Sequence, residues 1–282
     1  MRETIEQSKT DESASLAVEK QRAREQWTGD PCGSNYGQKY PFATREYFDE
    51  VERHRYEVYA PWMPAVMEFK DFAGAKLLEV GCGMGTDLLQ FARGGAVCTG
   101  VDLTPRSLEV SQLHFELYGE RANFSLADAE RLPFADESFD VVYSNGVLHH
   151  TPGTAQAVRE VHRVLRPGGI AKVMLYHRHS FYYWTEIMLH RGILRGQLLR
   201  GQSPEEIMSR YVEYSEHEAR PLVKVYSERE ARALFEPFSE TRTEVEQLMR
   251  EELRAFGALI PESVLGRLRR KVGWNVIVTA RK

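Results

Sequence analysis

From residue 75 to residue 176 the chain alternates short apolar runs with amphipathic ones, and this rhythm restricts the fold more than any other feature. The runs AKLLEV (75–80), AVCTGVDL (96–103), NFSLAD (123–128), FDVVYSNG (139–146) and IAKVMLY (170–176) predict five short strands. The stretches between them predict helices. One starts at 86 and stops at Gly94-Gly95. The next has Thr104 as N-cap, Pro105 at its first position and Gly119 at its end. A third carries Val158, Val161 and Leu165 on one face and stops at glycine. Strict alternation of this kind implies a parallel sheet with helices on both faces, joined by right-handed crossovers. Helix EREARALFEP (228–237), strand FSETRTEVEQ (238–247) and strand WNVIVTARK (274–282) then extend the pattern to seven strands.

The first strand runs straight into LLEVGCGMGTD, with Gly81, Gly83 and Gly85 in five positions. A glycine turn between strand and helix leaves backbone N–H groups at the carboxyl edge of the sheet, where open α/β sheets bind ligands. A dinucleotide pyrophosphate needs G-x-G-x-x-G, and here the third glycine is replaced by Thr86. An NAD-type oxidoreductase is therefore the weaker reading. Glu79, just before the turn, suits a ligand that carries an ammonium group instead.

LLEVGCGMG resembles the first motif of the class I S-adenosylmethionine (SAM)-dependent methyltransferases, and further motifs follow in order. GVDLTP resembles the second-strand end, ADAERLPF the adenine loop, FDVVYSNGVLHH the fourth-strand motif, and RVLRPGG the turn before the fifth strand. The resemblance covers roughly residues 75–177 and is nearest to the small-molecule group that includes the ubiquinone and menaquinone C-methyltransferases. It implies a Rossmann-like, seven-stranded, mostly parallel sheet with the last strand antiparallel. It also implies SAM as cofactor, S-adenosylhomocysteine as product, and no metal. The cofactor residues it points to are Glu79, Gly81, Cys82, Gly83, Gly85, Asp87, Asp102, Leu103, Asp128, Ala129 and Asn145. Asp102 would take both ribose hydroxyls, Asp128 the adenine amino group and the Ala129 N–H a ring nitrogen, while the Cys82 thiol is expected to be inert packing.

The end of the fourth strand faces the methyl group in such a fold, so His149 or His150 could take a proton from a hydroxyl or amine, with His149 the favoured of the two. Tyr176 joins them at the end of the fifth strand. Specificity falls to the variable parts. Residues 1–25 lack aromatic residues and predict a flexible tail that is dispensable for activity. Residues 26–72 are dense in rings and predict a cap or lid, in which Trp27, Tyr36, Tyr40 and Phe42 would wall off the methyl group. Residues 73–282 form the methyltransferase domain, interrupted by a helical lid insertion at 178–225. His177, leaving the fifth strand, and Tyr182, Tyr183 and Trp184 of that insertion are expected to line a closed, aromatic pocket for a small organic acceptor.

Composition narrows the partners. The chain has 282 residues, a formal net charge of −4 and three scattered cysteines. It lacks the [DNS]-P-P-[YFW] motif of enzymes that methylate base amino groups. These features argue against a nucleic-acid substrate, a disulfide framework and a metal site. The N-terminal residues lack the apolar core of a secretory signal, and no run reaches the roughly 18 apolar residues of a membrane helix, so a cytoplasmic monomer or homodimer is expected. Two alternatives stay open: a lipid or quinone-like acceptor collected at a membrane surface, because TEIMLHRGILRGQLLRG mixes apolar residues with arginines, and a SAM-binding protein without catalysis.

Overall fold

The structure, a computed structural model, describes residues 2–29, 31–213 and 220–282, with side chains from 16 onward except 254–256. Among the described residues seven strands form one sheet: β1 Lys76–Val80, β2 Val97–Asp102, β3 Ala122–Leu126, β4 Phe139–Asn145, β5 Leu165–Tyr176, β6 Glu240–Glu246 and β7 Asn275–Arg281. Their order is β3-β2-β1-β4-β5-β7-β6. Only β7 runs antiparallel to its neighbours, with Ile170 opposite Arg281 and Tyr176 opposite Asn275. The Rossmann-like sheet expected from the sequence is therefore the one observed. One irregularity lies at the RPGG turn: β5 already pairs at Leu165 with Phe139, and the register shifts before Ile170 pairs with Val141.

Successive side chains on a strand point to opposite faces. Leu77, Val141 and Ile277 accordingly pack under Phe69, Leu88 and Phe91 on one side. Leu78, Val142, Val276 and Val278 pack with Val158, Val161, Ala231 and Phe235 on the other. The β1–β4 boundary lies where the strand order reverses, and the first crossing helix, Thr86–Arg93 after the glycine turn, starts there.

Helix α1, Arg2–Gly29, precedes α2, Arg45–Arg53, and α3, Met63–Val66, on the way into the sheet. The composition break at residue 25 is not a break in α1. Ala23 is buried and Lys20 half-buried, so this part of the expected tail does have something to bury. Met1 of that tail, residues 214–219 of the expected insertion and the side chains of 2–15 lie outside the description. No helix among the described residues is long and apolar enough to cross a membrane.

The cap rests on the glycine turn and a neighbouring helix through α2, and Thr44 caps α2 by accepting from the Tyr47 N–H. Tyr47, Phe48 and Val51 pack on Met84 of the glycine turn and Val110 of α5, Pro105–Tyr118. The Phe48 ring stacks on His114 at 3.9 Å, and His114 Nδ1 lies 2.9 Å from the Met84 carbonyl. Burial holds the His114 imidazole down at about 4, so it stays neutral and donates from Nδ1 to that carbonyl.

The consequence for stability has a definite sign. The unfolded histidine takes a proton near pH 6.5 and the folded one only near 4, so its contribution is complete above 6.5 and is lost as pH falls toward 4. In that window the loss is about 1.4 kcal/mol per pH unit for one such group, up to roughly 3 kcal/mol. Urea unfolding at about pH 7 and about pH 4.5 should show the wild type losing more stability on acidification than His114→Phe, which keeps the stack and removes the proton site. Equal losses would show that His114 does not carry this dependence.

Candidate functional site

The glycine turn is built by close approach. Gly81 and Cys82 both donate their N–H groups to the Val101 carbonyl, at 2.8 and 3.0 Å. Gly81 has φ +78, and an added Cβ would meet Val147 Cγ2 at 2.3 Å, so only glycine fits. Gly83 has φ +53, and a Cβ there would meet nothing within 4 Å. Its position faces open space, as a backbone cradle for a ligand requires. The Gly83 N–H donates to Asp102 Oδ2 at 3.0 Å, tying the turn to the end of β2. Gly85 closes the turn as N-cap of α4, Thr86–Arg93.

A cleft opens over this turn. Gly81, Gly83, Asp102, Leu103, Asp128, Ala129 and Asn145 line it, so most of the expected cofactor residues share one cavity. Its far wall comes from α1: Lys20, Ala23 and Trp27 face the turn, with His150 beside Trp27 at 5.5 Å between ring centres. Asp102 is buried, which pushes its carboxyl above the ordinary value, while donors from the Thr104 and Gly83 backbone pull the other way. Further hydroxyl donors would favour the charged form, and a ribose brings two. Asn145 Oδ1 is buried without a partner.

Glu79 lies beneath the turn, 3% exposed, with Oε2 unpartnered. Burial and then the neighbouring Asp87 raise its pKa well above the carboxylate range. A cation at this spot would reverse that. The donor set thus fits a SAM-like ligand, with a cradle at Gly83, a diol acceptor at Asp102 and an unpartnered carboxylate oxygen at Glu79.

Four expected cofactor residues, Glu79, Cys82, Gly85 and Asp87, do not line the cleft. Asp87 is engaged elsewhere. It takes Arg55 in a fork, Nε on Oδ1 and a terminal nitrogen on Oδ2, both at 2.6 Å, and accepts from the hydroxyls of Tyr56 at 2.6 Å and Tyr143 at 2.8 Å. Burial alone would raise its pKa, but Arg55 and these donors hold it below the ordinary value. Asp87 therefore fastens the π-helical segment His54–Tyr59 of the cap to the sheet. Asp128, the expected adenine acceptor, is already engaged: Lys20 Nζ lies 2.6 Å from its Oδ2 and 2.7 Å from Glu130 Oε2. An adenine amino group would have to share or replace that lysine. Cys82 is buried as expected, its Sγ 3.9 Å from Ser111 Oγ.

A second cavity adjoins the first, and Trp27, Pro31 and Cys32 border both. Tyr36, Tyr40 and Phe42 of the cap line it, with Tyr59, Tyr176 and Glu213. His177 and the three expected insertion residues, Tyr182, Tyr183 and Trp184, border neither cavity. His177 is buried, its Nδ1 3.0 Å from the Gly273 carbonyl. Tyr182 sits edge-on to Trp274, Tyr183 is buried in a separate cluster with Ile187 and Ile207, and Trp184 is exposed.

The histidine pair also resolves against the expectation. His149 is fully buried, both ring nitrogens lack partners, and burial followed by the nearby His150 drives its pKa far below 6.5. It stays a neutral packing group, 3.9 Å from the Tyr176 ring. His150 is the one at the cleft. Its Nδ1 is 2.7 Å from the Leu222 carbonyl, which makes Nδ1 the donor and turns Nε2 toward Glu213 Oε1 at 3.5 Å. The same carboxylate oxygen accepts from the Tyr176 hydroxyl at 2.7 Å. Burial, then Glu213, raises the Tyr176 pKa well above 10, so Tyr176 donates and does not act as a base. Nothing in the sequence motifs marks Glu213 or Lys20, because each acts on a partner far away along the chain.

Comparison with known proteins supports the assignment of the fold and the turn. Residues 78–173 match the family described as "Methyltransferase domain". Methyltransferase GfsG of Streptomyces halstedii is 43% identical over 100 residues, which is 34% of this chain and 36% of that protein. Phthiotriol/phenolphthiotriol dimycocerosates methyltransferase 1 of Mycobacterium ulcerans is 36% identical over 185 residues, 64% of each chain. The chain thus spans about one third to two thirds of the length of these two curated relatives. Among solved structures, a SAM-dependent methyltransferase from Methanosarcina mazei superposes with a TM-score of 0.54 at 19% identity, covering 78% of this chain and 97% of that one.

Proposed function

We propose that this chain, which carries a class I SAM-dependent methyltransferase domain, binds SAM between the glycine turn and α1 and methylates a small hydroxyl-bearing molecule in the adjoining cavity. One observation carries the reading. The residues suited to the cofactor line one cavity, the aromatic cap residues line the next, and His150 stands with Trp27 where the two meet.

Bound there, SAM supplies an activated methyl group, and the chain's own work is positioning and proton handling. Asp102 holds the ribose end. Glu79 lies below the turn, where a cation would find a carboxylate. Trp27, Tyr36 and Tyr59 border the transfer path, where a bound acceptor would displace water. As an acceptor oxygen takes the methyl, its proton passes to His150 Nε2. The resulting imidazolium is held between the Leu222 carbonyl on Nδ1 and the Glu213 carboxylate on Nε2. Bonds balance: one O–H and one S–CH₃ bond break, and one O–CH₃ and one N–H bond form.

Calorimetric titration tests the cofactor half. Asp102→Ala should weaken SAM binding at least about tenfold, since hydrogen bonds to a charged group are worth roughly 1.5–3 kcal/mol each and do not add in full. Circular dichroism should stay unchanged. Unchanged affinity, or binding of NADH in place of SAM, would remove the ribose assignment.

A further inference from the structure

The insertion after β5 turns one face inward and the other to solvent. Its segment Tyr183–Leu194 is π-helical, bonded i to i+5, so positions four or five apart share a face. Tyr183 and Ile187 pack inward with Ile207, Met208, Val223 and Trp274. Trp184, Leu189, Ile193 and Leu194 fall on the other stripe and are 52%, 48%, 57% and 71% exposed. Leu199, in the following turn, is 87% exposed. Large apolar side chains left this open in one short stretch mark a contact surface.

We propose that this stripe docks the protein on an anionic lipid bilayer. Charge selects that occupant. Residues 184–200 carry Arg191, Arg195 and Arg200 against the single acid Glu186, in a chain whose net charge is −4. Glu186 is paired with Arg191 and His190, while Arg195 and Arg200 are exposed beside Leu194 and Leu199. Leucine, isoleucine and tryptophan on one face with arginines at its border form the pattern of an interfacial helix: the apolar groups enter the acyl boundary and the guanidinium groups meet anionic headgroups. The inward face of the same insertion packs on Trp274, which stacks on Tyr176 of the second cavity's wall at 4.5 Å between ring centres. The inference does not rest on methyl transfer, and a chain that bound no SAM would still partition.

Co-sedimentation of the full chain with vesicles tests it. Vesicles of phosphatidylcholine with phosphatidylglycerol should bind the wild type at least about tenfold more tightly than phosphatidylcholine alone, and added salt should weaken this binding. Ile193→Glu/Leu194→Glu/Leu199→Glu should lose at least about tenfold of the binding. Arg195→Glu/Arg200→Glu, which leaves the apolar stripe intact, should lose the preference for anionic lipid. Both variants should keep wild-type affinity for S-adenosylhomocysteine and wild-type circular dichroism. Equal partition of wild type and variants would overturn the proposal. So would light scattering that shows a wild-type dimer dissolved by the leucine changes, which would assign the face to a second copy.

Discussion

His150→Ala is expected to cut methyl transfer about 10²–10⁴-fold while leaving SAM affinity nearly unchanged, the cost of losing a positioned general base. Transfer of radiolabelled methyl from SAM, screened over hydroxylated metabolites, gives the rate. Glu213→Gln should lower the rate less than His150→Ala does. It keeps the shape of the site and an acceptor for Tyr176 but removes the charge that steadies the imidazolium 3.5 Å away. His149→Ala should act mainly on stability, because that ring is buried, neutral and outside both cavities. A loss below about threefold for His150→Ala would show that the acceptor needs no base from this chain, as an ionised carboxylate or a thiolate would not.

Asp87→Ala should destabilise the fold by about 3–5 kcal/mol, because it strands the Arg55 charge and two tyrosine hydroxyls in the interior. The double variant Asp87→Leu/Arg55→Met should recover a large part of that loss, since removing both charges leaves no unpaired ion behind. Urea midpoints of the wild type and both variants decide this. A single-variant loss below about 1 kcal/mol would show that the pair is solvated and does not fasten the cap.

These two cases mark where sequence reading stops. The glycine turn, the acid at the end of β2 and the alternation of strands and helices were legible because each is local. The glycine run is recognisable within five positions even though Gly81 itself is held against Val147 and the Val101 carbonyl, and strand periodicity needs only a few consecutive residues. Asp87 sits inside the same local motif, yet its role is set by Arg55, 32 positions earlier. Lys20 reaches Asp128 across 108 positions, from a stretch whose composition reads as a tail. No periodicity or motif carries such pairings.

Which of His149 and His150 borders the cleft was not legible for a related reason. The two are adjacent in the short 3₁₀ turn Leu148–His150, and which ring reaches the cleft depends on the turn's rotation over β5 and on the Leu222 carbonyl. The aromatic residues of 181–184 were legible as apolar but not as inward or outward. In a π-helical segment the facing shifts relative to an α-helix, and Trp184 emerges in solvent while Tyr183 is buried. The cap residues Trp27, Tyr36, Tyr40 and Phe42 all border the second cavity.

The structure of the chain crystallised with S-adenosylhomocysteine tests the central claim most directly. The account predicts the ribose hydroxyls on Asp102, the adenine between Asp128 and Ala129, and the sulfur facing the junction bounded by Trp27 and His150, with open space beyond it lined by Tyr36, Tyr59 and Glu213. A ligand seated elsewhere, or one whose sulfur faces away from His150 and the second cavity, would contradict it.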